Sequence, residues 1–148
     1  MPWLIVVIVA SLFTGRLGLP LLPLPEWLSY LTCALLAVLG IALVVLGMKA
    51  CPLRILGGRD KSSLITKGIY SYIRHPLCLS CILLAFSAAI GFRSTLGLSI
   101  AILALVIAYV HASFEERDLE RRFGRAYREY RSRVGMFVPK RKTTRTPE

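Results

Sequence analysis

The chain has 148 residues, of which 55% are hydrophobic and only 18% are charged, and its net charge is +11. With a mean hydropathy of +0.63, this composition excludes an ordinary soluble domain, in which about one residue in four is charged. The positive charge does not indicate nucleic-acid binding, because most Lys and Arg residues lie between Lys49 and Arg74 or from Arg117 onward, beside apolar segments.

Four apolar segments are predicted to enter a membrane. The first, Pro2 to Phe13, is short and irregular. Leu28 to Met48 and Ser94 to Phe114 contain no charged residue, and each is long enough as a helix to cross a hydrocarbon core of roughly 30 Å. Leu77 to Phe92 is shorter, so we expect it to form a hairpin with the following segment through a turn at Gly91 to Thr95.

The positions of the charges predict the topology. If the second and third segments are joined on the cytoplasmic side, Arg16 and Arg93 are the only Lys or Arg residues in the other connections, which satisfies the positive-inside rule. The predicted fold is all-α: a polytopic integral membrane protein with about four transmembrane helices, a cytoplasmic C-terminal amphipathic helix and both termini in the cytoplasm. It forms one domain, residues 1–148, with a core at 1–139 and a basic, disordered tail at 140–148. The glycines and proline between Lys49 and Tyr72 argue against a continuous helix there.

The stretch GIYSYIRHPLCLS, from Gly68 to Ser80, precedes the third apolar segment. Pro76 suits the first turn of a helix, which places Arg74 and His75 at the positive end of that helix. Taken alone, the arginine is a plausible interfacial anchor and the histidine a plausible cap. Cys78 and Cys81 add a CxxC, but without a second such pair they are interpreted as packing residues, and no metal site is predicted.

A stripe of apolar and aromatic residues follows the last apolar segment at helical spacing, with arginines on the other faces. Its members are Leu119, Phe123, Tyr127, Tyr130, Val134 and Phe137. Extended backward by steps of four, the stripe reaches Glu115 and His111, which are therefore predicted to face the protein interior and to be site candidates. Adjacent helical residues point in different directions, so Glu116 is expected on the wet side near Glu120.

Two blocks of this sequence resemble a known superfamily. GIYSYIRHPLCLS is similar to the G-x-Y-x-x-x-R-H-P-x-Y signature of the membrane methyltransferases that include isoprenylcysteine carboxyl methyltransferases and phospholipid N-methyltransferases. EERDLERRFGRAYREYRSRVGMFVP resembles the second block of that superfamily, E-E-x-x-L-x-x-x-F-G-x-x-Y-x-x-Y-x-x-x-V with a proline close behind. Cys78 stands where the signature has tyrosine, so any role of that side chain in shaping the pocket does not carry over.

The resemblance implies S-adenosylmethionine as the cofactor, held at the cytoplasmic face, and a lipophilic acceptor that enters from the bilayer. The implied cofactor-binding residues are Tyr70, Arg74, His75, Pro76, Glu115, Glu116, Tyr127 and Tyr130. An isoprenylcysteine-like carboxylate acceptor needs no base, whereas a phospholipid-like amine must lose a proton, for which Glu115 and His111 are the catalytic candidates.

Two alternatives remain open at this stage. Sterol reductases carry a similar H-P-x-Y block and use NADPH, so the cofactor distinguishes that class from a methyltransferase. A non-catalytic membrane protein that anchors a partner through its basic tail is the other alternative, and deletion of 140–148 would abolish partner binding in that case. No internal repeat, phosphate loop or dinucleotide-binding glycine motif occurs in the chain.

Overall fold

The computed structural model of the chain describes residues 3–14, 20–50 and 64–140, which form five α-helices and no strand. The helices are α1 (Trp3–Phe13), α2 (Glu26–Ala50), α3 (Pro76–Gly91), α4 (Thr95–Phe123) and α5 (Arg125–Arg133), and a 3₁₀ turn at Gly68–Ser71 precedes α3. The all-helical prediction is confirmed. Most of the predicted irregular loop, and the predicted disordered tail beyond residue 140, lie outside the described residues.

Two of these helices, α2 and α4, are long and apolar enough to cross a membrane, while α1 and α3 are shorter apolar helices. Large hydrophobic side chains on the long helices are exposed: Leu35 and Leu103 are each 59% exposed and Val38 is 64% exposed. A soluble monomer rarely exposes apolar surface of this extent. These features indicate a membrane protein in which lipid covers the outer faces of the helices.

Helix α3 packs antiparallel to α2 through glycine contacts. A Cβ atom added at Gly40 would lie 2.9 Å from Leu84 Cγ, and one added at Gly47 would lie 2.8 Å from Leu77 Cδ2. The missing side chains let the two helices approach closely, as small residues do in membrane helix pairs. The packing brings the end of α2 beside the start of α3.

The opposite end of the bundle is closed by polar contacts around the turn between α3 and α4. Ser94 caps α4 by accepting a hydrogen bond from the Gly97 amide, and its hydroxyl also contacts Thr14 at the end of α1. The Leu22 amide donates to the Arg93 carbonyl at 2.7 Å. Arg93 also pairs with Glu26 at 3.3 Å. This arrangement fixes α1 and the start of α2 against the hairpin.

Helix α4 faces the bundle with a line of small residues that ends in a carboxylate. Its buried residues are Gly97, Ala101, Ala104, Ala108, Ala112 and Glu116. The rise from Thr95 to Glu116 is roughly 30 Å, about one hydrocarbon thickness, so Glu116 lies where α4 would leave the bilayer. The prediction that Glu115 and His111 face the interior and Glu116 the wet side is wrong. Glu116 points inward, whereas Glu115 is 54% exposed and His111 is also exposed.

The aromatic stripe does not lie on one continuous amphipathic helix, as its spacing predicts, but on two helices. Helix α4 ends at Phe123, and Gly124, with a φ of 52°, turns the chain into the short helix α5. The face of α5 that carries Tyr127 and Tyr130 is buried in the protein and packs with Val134. Glu115 and Phe123 lie on the same helix α4, but two backward steps of four from Phe123 drift about 80° around a helix of 3.6 residues per turn, whereas Glu116, seven residues away, stays within about 20° of Phe123.

Candidate functional site

The start of α3, the end of α4, α5 and the segment after α5 meet at one end of the bundle. Backbone hydrogen bonds join the two sequence blocks: the Arg74 amide donates to the Gly135 carbonyl at 2.9 Å and the His75 amide donates to the Met136 carbonyl at 3.2 Å. The Tyr130 hydroxyl donates to the Tyr70 carbonyl at 2.6 Å. The segment after α5 therefore fixes the backbone that carries Arg74 and His75.

Glu116 lies between two guanidinium groups. Arg74 Nη2 is 2.8 Å from Glu116 Oε1, and Arg131 Nε is 3.4 Å from Glu116 Oε2. The Glu116 side chain is 3% exposed and that of Arg74 is 8% exposed. Arg131 is half exposed and also contacts Glu120 at 3.3 Å. Removing two charges from water costs about as much free energy as their attraction returns, even in a close pair. A gain in stability therefore does not explain this buried cluster.

His75 lies between the two adjacent glutamates. Its Nδ1 atom is 3.6 Å from Glu115 Oε2 and its Nε2 atom is 3.4 Å from Glu116 Oε1. The ring packs at an angle against Phe137, with the two ring centroids 6.2 Å apart. Burial lowers the pKa of His75 below its ordinary value, while the charges of Glu115 and Glu116 partly oppose this shift. The imidazole is therefore neutral at pH 7.

This lowered pKa predicts how stability depends on pH. Below the ordinary pKa of 6.5 the unfolded chain binds a proton at His75 that the folded protein does not. The contribution of His75 to stability is therefore present above that pKa and falls as the pH is lowered. We expect His75→Gln to flatten the decline in melting temperature between about pH 7 and pH 5.5. Equal slopes for the wild type and the variant would show that His75 does not titrate differently on folding.

Four polar side-chain atoms in this region are buried without a well-aligned hydrogen bond: Arg74 Nε, His75 Nε2, Glu116 Oε1 and Tyr127 Oη. The 2.8 Å contact of Glu116 Oε1 with Arg74 is close, but it lacks the alignment of a hydrogen bond. An unsatisfied buried polar group costs about 1–3 kcal/mol, so a cluster of them indicates a place for a ligand. Burial raises the pKa of Tyr127, so its hydroxyl keeps its proton and can donate.

The structure brings most of the predicted site residues together. Pro76 is the first residue of α3 and is fully buried, and Tyr70 lies in the preceding 3₁₀ turn. Burial raises the pKa of Tyr130 to about 12, so that hydroxyl also stays protonated. His111 is exposed on α4 and makes no hydrogen bond or ion pair with a described residue, so it is separate from the cluster. In the described part of the chain no three His, Cys, Asp or Glu side chains could hold a metal.

One side chain and two backbone carbonyls of the site were not identified from the sequence. Arg131 is one of several arginines on the outer faces of the stripe, and only its contact with Glu116 distinguishes it. The carbonyls of Gly135 and Met136 act through the backbone, which residue types do not reveal. For Glu116 a signal did exist, since it continues the line of small residues along α4.

Comparison with known proteins supports a relationship across most of the bundle. Residues 28–126 match the family model described as phospholipid methyltransferase. Methanethiol S-methyltransferase from Pseudomonas sp. (strain GM41(2012)) is 37% identical over 86 residues, 58% of this chain and 32% of that protein. Methanethiol S-methyltransferase 1 from Bradyrhizobium diazoefficiens is 36% identical over 76 residues, 51% of this chain and 26% of that protein.

The cobalt-zinc-cadmium resistance protein CzcN from Cupriavidus metallidurans is 34% identical over 117 residues, 77% of this chain and 52% of that protein. The chain thus matches about half of the CzcN protein and a third or less of the two methyltransferases. No solved structure matches the chain significantly.

Proposed function

The chain belongs to the phospholipid methyltransferase family, and from that premise we propose that it is an integral membrane enzyme that methylates a lipophilic acceptor with S-adenosylmethionine. The observation that carries this proposal is the group of four buried, unsatisfied polar atoms on Arg74, His75, Glu116 and Tyr127. Both sequence blocks that resemble the superfamily contribute to this group. It lies within the family match except for Tyr127, which follows the match by one residue.

The residues of the cluster fit the polar groups of S-adenosylmethionine. Arg74 and the first-turn amides of α3, which His75 does not cap with its side chain, would hold the carboxylate. Glu116 Oε1 would accept from the ammonium group, and Tyr127 would donate to an acceptor on the cofactor. Tyr70 and Tyr130 would contribute apolar walls for the adenine.

The cofactor supplies a methyl group activated on a positively charged sulfur. The protein has to hold the acceptor close to that methyl group in a site without water, because proximity and exclusion of water account for much of the rate enhancement. The backbone bonds from Arg74 and His75 to the segment after α5 hold the site walls in place.

We propose a four-segment topology with both termini in the cytoplasm. In support, the described end that carries Arg74 and Arg131 is strongly basic, whereas Arg93 at the other end is paired with Glu26. The shorter helices α1 and α3 pack against α4 and complete the bundle. In this topology the site lies at the cytoplasmic boundary of the bilayer.

The acceptor is proposed to be lipophilic. The outer faces of α2 and α4 are apolar and would be covered by the bilayer, from which the acceptor would enter the site. A carboxylate and an amine are the acceptors implied by the sequence blocks. The names of the methanethiol S-methyltransferases add a thiol to these.

The test is the melting temperature of the detergent-purified protein with S-adenosylhomocysteine and, separately, with NADPH. A ligand at 100 times its dissociation constant adds about 2.7 kcal/mol to stability. We expect S-adenosylhomocysteine to raise the melting temperature and NADPH to leave it unchanged. Stabilisation by NADPH alone would favour a reductase instead.

A further inference from the structure

The two adjacent glutamates at the end of α4 have opposite environments. Glu116 is buried, and its charge is balanced by Arg74 and Arg131. Glu115 is 54% exposed, and its one ion-pair contact among the described residues is with His75 Nδ1. Both oxygens of Glu116 thus lie against guanidinium groups, Oε1 against Arg74 and Oε2 against Arg131. Among the described residues, Glu115 has no ion pair with a guanidinium group.

The position of Glu116 also selects one tautomer of His75. Both ring nitrogens face a carboxylate oxygen, which can only accept a hydrogen bond: Nε2 lies 3.4 Å from Glu116 Oε1 and Nδ1 lies 3.6 Å from Glu115 Oε2. Glu116 is closer and only 3% exposed, whereas Glu115 is 54% exposed and bonds to water, so the proton lies on Nε2 and the lone pair on Nδ1. That nitrogen faces the exposed side of the cluster, 3.6 Å from Glu115 Oε2. Proton uptake at Nδ1 would produce an imidazolium between two carboxylates.

On the basis of the proposed function, we propose that His75 Nδ1, supported by Glu115, takes the proton of the methyl acceptor, and that the acceptor is therefore a protic nucleophile, a thiol or an ammonium, rather than a carboxylate. His75 would act as the catalytic base and Glu115 as its positioning residue. A carboxylate acceptor would arrive ionised and need no base, and it would be repelled by Glu115, whose charge no guanidinium group balances among the described residues.

With a thiol acceptor, a lone pair of the thiol sulfur would form the bond to the methyl carbon. The electrons of the breaking carbon–sulfur bond would stay on the cofactor sulfur. The thiol proton moves to His75 Nδ1 and later leaves through the exposed Glu115 to water. An ammonium acceptor loses its proton in the same way before it attacks.

Two of the three charged groups that face His75 favour this role. Glu115 and Glu116 approach the ring from α4 and stabilise an imidazolium, whereas the charge of Arg74, the preceding residue, opposes it. Phe137 covers the ring from the segment after α5. Burial keeps the resting imidazole neutral and so able to accept a proton. The two carboxylates would stabilise the imidazolium once it has formed.

The experiment compares the wild type with His75→Gln and Glu115→Gln, and uses Glu129→Gln as the matched control because Glu129 is an exposed carboxylate paired with Arg133. Methylation of octanethiol, octylamine and octanoate is measured with saturating S-adenosylmethionine. We expect the wild type to methylate a protic probe and not octanoate. His75→Gln should lower kcat about 100-fold and Glu115→Gln about tenfold, while Glu129→Gln retains the wild-type kcat.

Two further measurements separate this role from a structural one. As the pH rises toward the pKa of the protic probe, more of the probe loses its proton without help, and the kcat deficit of both variants should shrink. In spectra of protein labelled with ¹⁵N-histidine, the His75 signals, identified by their loss in His75→Gln, should show the proton on Nε2. A proton on Nδ1, or a deficit that does not change with pH, would overturn the proposal.

The outcomes also separate this inference from the proposed function. Wild-type protein that binds no S-adenosylhomocysteine would contradict the proposed function. Protein that binds it but methylates octanoate alone, or none of the three probes, would overturn the protic-acceptor inference only. The dissociation constant of S-adenosylhomocysteine for Glu115→Gln should stay within about threefold of the wild type. A loss of about tenfold or more would instead identify Glu115 as a cofactor ligand and overturn its role beside His75.

Discussion

Replacing Glu116 with alanine should abolish binding of S-adenosylhomocysteine and lower the free energy of unfolding by about 3 kcal/mol. The physical reason is that Arg74, with a side chain only 8% exposed, would keep its charge but lose its close carboxylate partner. Arg131 is half exposed and can recover hydration, so the larger part of the loss comes from Arg74. Thermal unfolding and calorimetric titration of the purified variant measure both effects.

Two comparisons make this prediction specific. Glu115→Ala removes the adjacent carboxylate, and because Glu115 is 54% exposed we expect a loss of less than about 1 kcal/mol. Adding Arg74→Ala to Glu116→Ala should restore part of the stability, since the unpaired buried charge is then removed. If Glu116→Ala were no less stable than Glu115→Ala, the buried ion pair would have no structural importance.

Replacing Gly135 with alanine should disrupt the site through the backbone. An added Cβ atom would clash with the Val138 carbonyl oxygen, so the segment after α5 has to move. The Gly135 carbonyl accepts the hydrogen bond from the Arg74 amide, and this movement displaces the chain that carries Arg74 and His75. We expect about 2 kcal/mol of destabilisation and at least a tenfold weaker affinity for S-adenosylhomocysteine.

The matched control for this prediction is Gly124→Ala. Gly124 has a φ of 52°, but a Cβ atom there would meet nothing within 4 Å. Residues other than glycine rarely adopt its φ of 52° and ψ of −120°, so the substitution introduces backbone strain of roughly 1–3 kcal/mol without a steric clash. Its cofactor affinity should remain close to that of the wild type. Similar affinities for the Gly124 and Gly135 variants would indicate that the segment after α5 does not hold the site.

Much of the architecture could be predicted from the sequence, because hydrophobic runs and their flanking charges directly reflect burial in lipid. The two long apolar runs correspond to α2 and α4, and α3 begins at Pro76 as expected. The resemblance of the RHP and EE blocks to the membrane methyltransferase superfamily is confirmed by the family match. The structure also brings Arg74 and His75 close to the EE pair.

The orientation of the EE pair could not be predicted from steps of four along the aromatic stripe, because an α-helix has 3.6 residues per turn and each such step drifts about 40° around it. Glu116 lies seven residues before Phe123, almost two full turns, and therefore shares its face of α4. The line from Gly97 to Ala112 gives the correct phase, since small residues mark the face of α4 that packs most closely. The role of Arg131 depends on a tertiary contact with Glu116, which no local pattern encodes.

The most direct test of the central claim is calorimetric titration of S-adenosylhomocysteine into the wild type, Arg74→Gln and the exposed control Arg122→Gln. The proposed site predicts micromolar binding to the wild type, the same affinity for Arg122→Gln and at least tenfold weaker binding to Arg74→Gln. Absence of binding to the wild type, or equal affinities for all three proteins, would contradict a cofactor site formed by Arg74, His75 and Glu116.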